Sequence, residues 1–250
     1  MLGKIPLSAN LRADRHLLDT GHAVSRTQAR AAIEAGNVRA DGKVVQKPSQ
    51  MLRKDARIEF EPAHPYVSRG ALKLVAALER FGLSPKDRVC VDIGASTGGF
   101  TQALIERGAA RVYAVDVGHG QLHASLSSDR RVLALEGINA RNLSRREVRE
   151  PVEVIVADVS FISLKLALTP VLQLAAPEAW LVALVKPQFE VGHRHVGKGG
   201  IVQDADVRER AVEGIAGWIG ARRWSMLGQM ESPIAGGSGN REYLVAARHG

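Results

Sequence analysis

The stretch VCVDIGASTGGFTQAL, Val89–Leu104, decides the fold. Its apolar opening reads as a buried strand, its centre as a glycine-rich turn and its end as a helix. Glycines let a backbone approach a ligand closely, and a helix N-terminus offers unpaired N–H groups. Two familiar versions of such a loop fail here. The dinucleotide fingerprint G-x-G-x-x-G requires a second glycine where Ser96 stands, and no G-K-[ST] follows, as a phosphate-binding loop would need. What remains is D-x-G-x-x-x-G-G-F, carried by Asp92, Gly94, Gly98, Gly99 and Phe100.

Outward from this loop, strand and helix patterns alternate. A helix around Leu72–Glu79, stopped at Gly82, precedes the strand Arg88–Ile93. Gly99–Arg107 (helix), Arg111–Val115 (strand), Gln121–Ser127 (a weak helix) and Val132–Leu135 (strand) follow. Then come the strand Val152–Ala157, helix Leu164–Leu174, strand Trp180–Val185, helix Asp206–Trp218 and strands Arg223–Gln229 and Tyr243–Ala247. Such alternation predicts an α/β domain with a mostly parallel sheet and helices on both faces. Its ligand would sit at the carboxyl ends of the strands, near the switch point. Asp116, 22 residues after Gly94, ends the next strand and is placed to accept hydrogen bonds from ribose hydroxyls.

The first 62 residues read differently. Leu11, Leu17 and Leu18 form an apolar helical stripe that Gly21 stops; Ser25 caps a second helix ended by Gly36. Val38–Ala40 and Lys43–Val45 flank the turn Asp41-Gly42, a hairpin signal, and Arg57–Phe60 adds a strand. Pro62, His64 and Pro65 break the pattern, so residues 63–66 are expected as a linker, with Glu61–Tyr66 a candidate hinge and the larger domain running over 67–250.

Composition narrows the function classes. The 250 residues carry 34 Lys+Arg against 26 Asp+Glu, a net charge of +8. Residues 1–63 hold 11 of those cations and 7 of the anions, so a quarter of the chain carries half of the excess and is the stronger candidate for a polyanion contact. A single cysteine excludes an intramolecular disulfide and a Cys-cluster zinc site, and the histidines show no ligand spacing, so no metal is expected. The longest apolar runs fall far short of the roughly 20 residues that span a bilayer, and residues 1–20 lack a signal-peptide core. A soluble cytoplasmic protein without a membrane partner is expected.

Four charged residues stand out: Lys73 in SRGALKL, on the helix before the first strand, and Asp158 in ADVSFISL, Lys186 in LVKPQFEVG and Glu242 in GNREYL, at strand ends facing the expected crevice. Together they resemble the Lys–Asp–Lys–Glu set of the FtsJ-type ribose 2′-O-methyltransferases. HPYVSRGALKL, DIGASTGGFT, ADVSFISL, VKPQFEVG, GKGGIVQD and GNREYL are similar to a narrower group, the haemolysin-A-like (TlyA-type) rRNA methyltransferases. Asp14–Ser49 resembles the small α+β RNA-binding module first seen in ribosomal protein S-four, which that group also carries.

The resemblance implies a Rossmann-like class I methyltransferase sheet. It implies S-adenosyl-L-methionine as cofactor, with Asp92, Gly94, Ser96, Gly98, Gly99, Phe100, Asp116, Asn139 and Asp158 around it. It further implies ribosomal RNA or ribosomal subunits as partner, cytidine as target, and Arg12, Arg15, Arg26 and Arg30 as phosphate contacts. In that chemistry Lys186 is the candidate base. It acts so only if its ammonium gives up a proton, which the cation Lys73 and desolvation favour and Asp158 and Glu242 oppose. As an ammonium it would instead align the hydroxyl and stabilise the oxyanion.

Rival readings leave other marks. An adenine amino-methyltransferase would show an Asn/Asp-Pro-Pro-aromatic motif where Asp158-Val159-Ser160-Phe161 stands. A pseudouridine synthase would lack the Gly94–Phe100 loop, and a binding-only protein would not need the lysine–carboxylate set. The second class, a membrane-active haemolysin, would need a membrane span or a strongly amphipathic basic helix, and neither is legible.

Overall fold

The computed structural model describes residues 10–236 and 239–250. They form two compact units that divide between Arg69 and Gly70.

In the first unit, β1 (Leu11–Arg12) leads into α1 (Ala13–Asp19), followed by α2 (Arg26–Glu34), β2 (Val38–Ala40), β3 (Lys43–Val44), β4 (Met51–Leu52) and β5 (Ile58–Phe60). Ser25 caps α2 as expected, its Oγ accepting from Gln28 N at 3.1 Å. Asp41 and Gly42 both have positive φ, 51° and 76°, the backbone that a tight hairpin turn between β2 and β3 requires. Leu11 departs from the expected helical stripe. It pairs with Leu52 in a two-residue ladder, because Arg12 has an extended backbone and the helix starts only at Ala13. A core of Leu17, Ala29, Ala32, Ile33, Val38 and Val45 holds the helices on the sheet.

The second unit opens with α3 (Gly70–Phe81), which buries Ala71, Leu74, Ala77 and Leu78 on one face. Next are β6 (Val89–Ile93), α4 (Gly99–Glu106), β7 (Arg111–Asp116), α5 (Ala124–Ser127) and β8 (Val132–Glu136). After these come β9 (Val152–Ala157), α6 (Leu164–Leu172), β10 (Ala175–Val185), α7 (Pro187–Glu190), α8 (Ala205–Gly220), β11 (Trp224–Glu231) and β12 (Tyr243–His249). The sheet order is β11-β12-β10-β9-β6-β7-β8. All strands but β12 share one direction, so the expected α/β sheet is present. α3 packs with α4, and α6 packs with α8, covering the two faces. Ile155, Leu164, Leu168, Leu181 and Ile215 are fully buried in the core under α6 and α8.

Most boundaries match the pattern within two or three residues. β10 is the exception: it starts at Ala175, not Trp180, with an irregular register between those residues and Glu178 at φ 60°. Pro177 and Glu178 interrupt the apolar run that made only its second half readable as strand.

The connection after β8 returns the chain to the other side of β6. The switch point therefore lies between β6 and β9, and a Cβ on Gly94, just past β6, would collide with the carbonyl oxygen of Asp158, just past β9. The glycine (φ 85°) is what lets the two strands open the crevice at that spot.

Candidate active site

A cleft of about 910 Å³ opens over the switch point. Gly94, Ser96, Asp116, Asn139 and Asp158 line it, together with Ser160, Phe161, Gln188 and Phe189. Asp116 spends one hydrogen bond on Ser96 N (Oδ2, 2.8 Å) and one on Gly118 N (Oδ1, 2.8 Å). These fix its carboxylate at the rim while leaving lone pairs for a ligand hydroxyl. Asn139 caps the short 3-10 turn after β8, its Oδ1 accepting from Arg141 N at 3.0 Å.

Four of the expected cofactor residues do not reach the cleft wall. Phe100 is a core side chain, 3 % exposed. Gly98 (φ 97°) is glycine because a Cβ there would meet the side chains of Leu126 and Leu122, and Gly99 is buried at the start of α4. Asp92 is fully buried and accepts from Thr101 Oγ1 at 2.7 Å, while its Oδ1 has no partner. Burial, with the carboxylates of Asp158 and Asp116 adding to it, pushes Asp92 up to about 7. The loop pattern thus marks the turn's architecture as much as its ligand contacts.

The four charged residues converge as two ion pairs. Sheet register explains the convergence: Val185 pairs with Tyr243 and Ala183 with Ala157, so the residues just past these positions share one sheet end. Lys73, buried on α3, places Nζ 2.5 Å from Glu242 Oε2. Lys186 places Nζ 2.6 Å from Asp158 Oδ1 and donates to Ser160 Oγ at 2.9 Å. A second clamp lies behind this contact. Glu190 on α7 accepts from Ser163 Oγ (2.6 Å) and from Leu164 N (2.8 Å) at the start of α6. It ties the loop after β9 to the segment after β10, and burial pushes its carboxyl upward.

Sequence reading missed Ser160, Glu190 and the aromatic pair beside them. Phe161 stands 92 % exposed with φ 64°, a strained backbone for a phenylalanine, and its ring meets Phe189 at 5.2 Å. An apolar ring held out to solvent by strained backbone is a signal only coordinates give.

The expected phosphate contacts lie on the first unit. Arg12 and Arg26 both bond to Asp14, and Arg15 pairs with Asp19 at 2.9 Å. Arg30 is exposed on α2. Among the described residues no group of three or more His, Cys, Asp or Glu is placed to hold a metal ion, and no helix is long and apolar enough to cross a membrane.

A switch-point cleft with this loop and rim carboxylate defines a class I methyltransferase fold. Residues 66–249 match the FtsJ-like methyltransferase family and residues 11–58 match the S4 domain. The chain belongs to the FtsJ-like methyltransferases, in the TlyA-type group. It is 44 % identical over 244 residues to the 16S/23S rRNA (cytidine-2′-O)-methyltransferase TlyA of Mycobacterium tuberculosis, covering 97 % of this chain and 91 % of that protein. It is 39 % identical over 237 residues to the protein named Hemolysin A of Brachyspira hyodysenteriae, covering 94 % and 98 %. A structure described as a hemolysin, from Streptococcus thermophilus, superposes with a TM-score of 0.77 at 37 % identity, covering 96 % of this chain and 89 % of that one.

Proposed function

We propose that this protein transfers a methyl group from S-adenosyl-L-methionine to a cytidine ribose 2′-hydroxyl of ribosomal RNA. The observation that carries the reading is the pairing of Lys186 with Asp158 and Ser160, two residues of the cleft wall.

The cleft suits the cofactor. It is large enough for a nucleoside and an amino-acid tail, Asp116 presents a fixed carboxylate for ribose hydroxyls, and Asn139 stands where the base would lie. Gln188 Oε1 is a buried acceptor without a partner on the same wall. When bound, the cofactor supplies an electrophilic methyl on a sulfonium. The chain's own residues do the rest. Lys186 Nζ, held by Asp158 and Ser160, meets the ribose 2′-oxygen and keeps it in line with the methyl. Nζ would take the hydroxyl proton as it passes one of its own to the Asp158 carboxylate, freeing the 2′-oxygen for the methyl that the bound cofactor would supply. The Lys73–Glu242 pair sets a buried second charge pair at the same sheet end and holds Glu242 in register with Lys186.

Phe161 and Phe189 offer an exposed aromatic face beside this point. A nucleotide that must bring its ribose to Lys186 has to leave its stack, and an aromatic platform compensates part of the lost stacking. The N-terminal unit, residues 1–62 with a linker at 63–66, grips structured RNA through Arg12, Arg15, Arg26 and Arg30, and the unit over 67–250 carries the chemistry. Such a protein works where ribosomal RNA is assembled, in the cytoplasm.

The test is incubation of the full chain with separated ribosomal subunits and methyl-labelled cofactor. Label in ribosomal RNA supports the reading; cofactor binding with no transfer to either subunit or to free rRNA overturns it. A second reading, direct membrane lysis, has no supporting observation beyond the names of relatives.

A further inference from the structure

The N-terminal unit buries one carboxylate completely. Asp14 is 0 % exposed, yet it faces two arginines that are about half exposed, with side-chain exposures of 48 % for Arg12 and 55 % for Arg26. Arg12 forks onto it, Nε to Oδ1 at 3.0 Å and Nη2 to Oδ2 at 3.1 Å, and Arg26 Nη2 shares Oδ2 at 2.8 Å. The anchor is itself pinned: Asp14 N donates to Pro48 O at 3.0 Å, and Ala13 N to Gln50 O at 2.7 Å. Arg26 is the first residue of α2, set by the Ser25 cap. Arg12 ends β1 and Arg26 opens α2, with α1 between them, and both side chains meet at this carboxylate.

We propose that Asp14 is the positioning residue of a phosphate-binding fork: it holds the guanidinium groups of Arg12 and Arg26 side by side, so that their outward N–H groups take RNA phosphodiester oxygens as one unit. The inference rests on the reading of this unit as the RNA grip.

The chemistry fits the arrangement. A guanidinium has five N–H donors; Arg12 spends two on Asp14 and Arg26 one, so most remain available outward. Free arginine side chains lose considerable rotamer entropy on binding, and a fork fixed beforehand has already lost it. The hydrogen bonds from Arg12, with that from Arg26 and both positive charges, hold the Asp14 carboxyl down to about 2, so the fork is intact at any physiological pH. The cluster keeps a net charge of one positive unit, concentrated on two planar groups suited to bidentate phosphate contact.

Charge and position make opposite demands, which makes the inference testable. Asp14→Asn removes a negative charge from the RNA face. If charge alone governed affinity, RNA would bind more tightly. If Asp14 positions the fork, RNA binds more weakly, by roughly ten-fold, despite the added positive charge. The measurement is filter binding of the full-length protein to deproteinised ribosomal RNA across a salt series, with thermal melting to confirm that the variant is folded. Equal or tighter binding by folded Asp14→Asn overturns the proposal. Should that variant fail to fold, the pair Arg12→Lys with Arg26→Lys decides, since it keeps both charges but lacks the planar fork. Affinity retained in the lysine pair overturns the proposal; affinity lost to the level of the double alanine variant supports it. The double alanine variant separates the two readings: if it binds RNA as well as the wild type, this face is not the grip and the underlying reading fails with the proposal. If it binds weakly while Asp14→Asn does not, only the positioning role fails.

Discussion

Lys186 and Asp158 lie on neighbouring parallel strands yet meet at 2.6 Å, because each is the first residue beyond its strand at the open end of the sheet. Ser160, two residues further along the loop, closes the same ammonium from a second side at 2.9 Å. A lysine with two fixed partners, both on the cleft wall, can present its nitrogen to a ligand in only a narrow range of directions. That restriction is what a slow nucleophile such as a ribose hydroxyl requires.

Replacing Lys186 by alanine should therefore abolish methyl transfer, by at least the roughly 10²–10⁴-fold that a positioned proton-transfer group supplies. Cofactor affinity should survive, because Asp116, Asn139 and Ser96 are untouched. Calorimetric titration of the cofactor beside a transfer assay reads both quantities, and near-normal turnover would remove Lys186 from the mechanism.

Ser160→Ala is expected to act more mildly, lowering kcat several-fold with little change in cofactor affinity. It leaves the Asp158 contact and removes only the acceptor of one lysine hydrogen bond. Single-turnover rates at saturating RNA are the direct check. A rise in KM with kcat unchanged would mean that Ser160 serves binding alone.

The aromatic platform predicts the converse pattern. Phe161→Ala should weaken productive RNA engagement, by about 1–3 kcal/mol if one base stacks there, without changing cofactor binding. It should also cost the fold little, since Phe161 is 92 % exposed. Unchanged KM and kcat toward ribosomal subunits would contradict the assignment.

Asp92 makes stability pH-dependent in a definite direction. Its folded value, about 7, lies above its ordinary value of 3.8, so the folded protein holds this proton more tightly than the unfolded chain. The favourable contribution is complete below about pH 4 and is lost as pH rises from there through 7. Asp92→Asn, which can still accept from Thr101, should remove that decline. Melting curves of both proteins between pH 5 and 8.5 should diverge as pH rises to about 7 and run parallel above it, the variant becoming the relatively more stable one. Parallel curves would show that the buried carboxyl is already ionised throughout.

Much of this architecture was legible in the chain. The strand–turn–helix at Val89–Leu104, the alternation that followed it and the Ser25 cap depend on local rules of periodicity and capping, and those rules held. The pairing of the four charged residues was not legible. Lys73 and Glu242 are 169 positions apart, and only sheet register brings Glu242 opposite Lys186 and leaves Lys73 to it. Phe100 and Gly98 sat inside a ligand-binding pattern, yet their side positions face Leu126 and the core, because the same turn must pack as well as bind. Asp14 gave no signal at all: an aspartate between two arginines reads as an ordinary surface residue until its burial is known.

The most direct test of the central claim is the chemical position of the transferred methyl. Ribosomal RNA labelled by this protein, digested to nucleosides and separated, should carry the label in 2′-O-methylcytidine, and the phosphodiester next to it should resist alkali. Label in a base-methylated nucleoside, with alkali cleaving beside it, would contradict the account, because nothing at the Lys186–Asp158 pair would then be acting on a ribose hydroxyl.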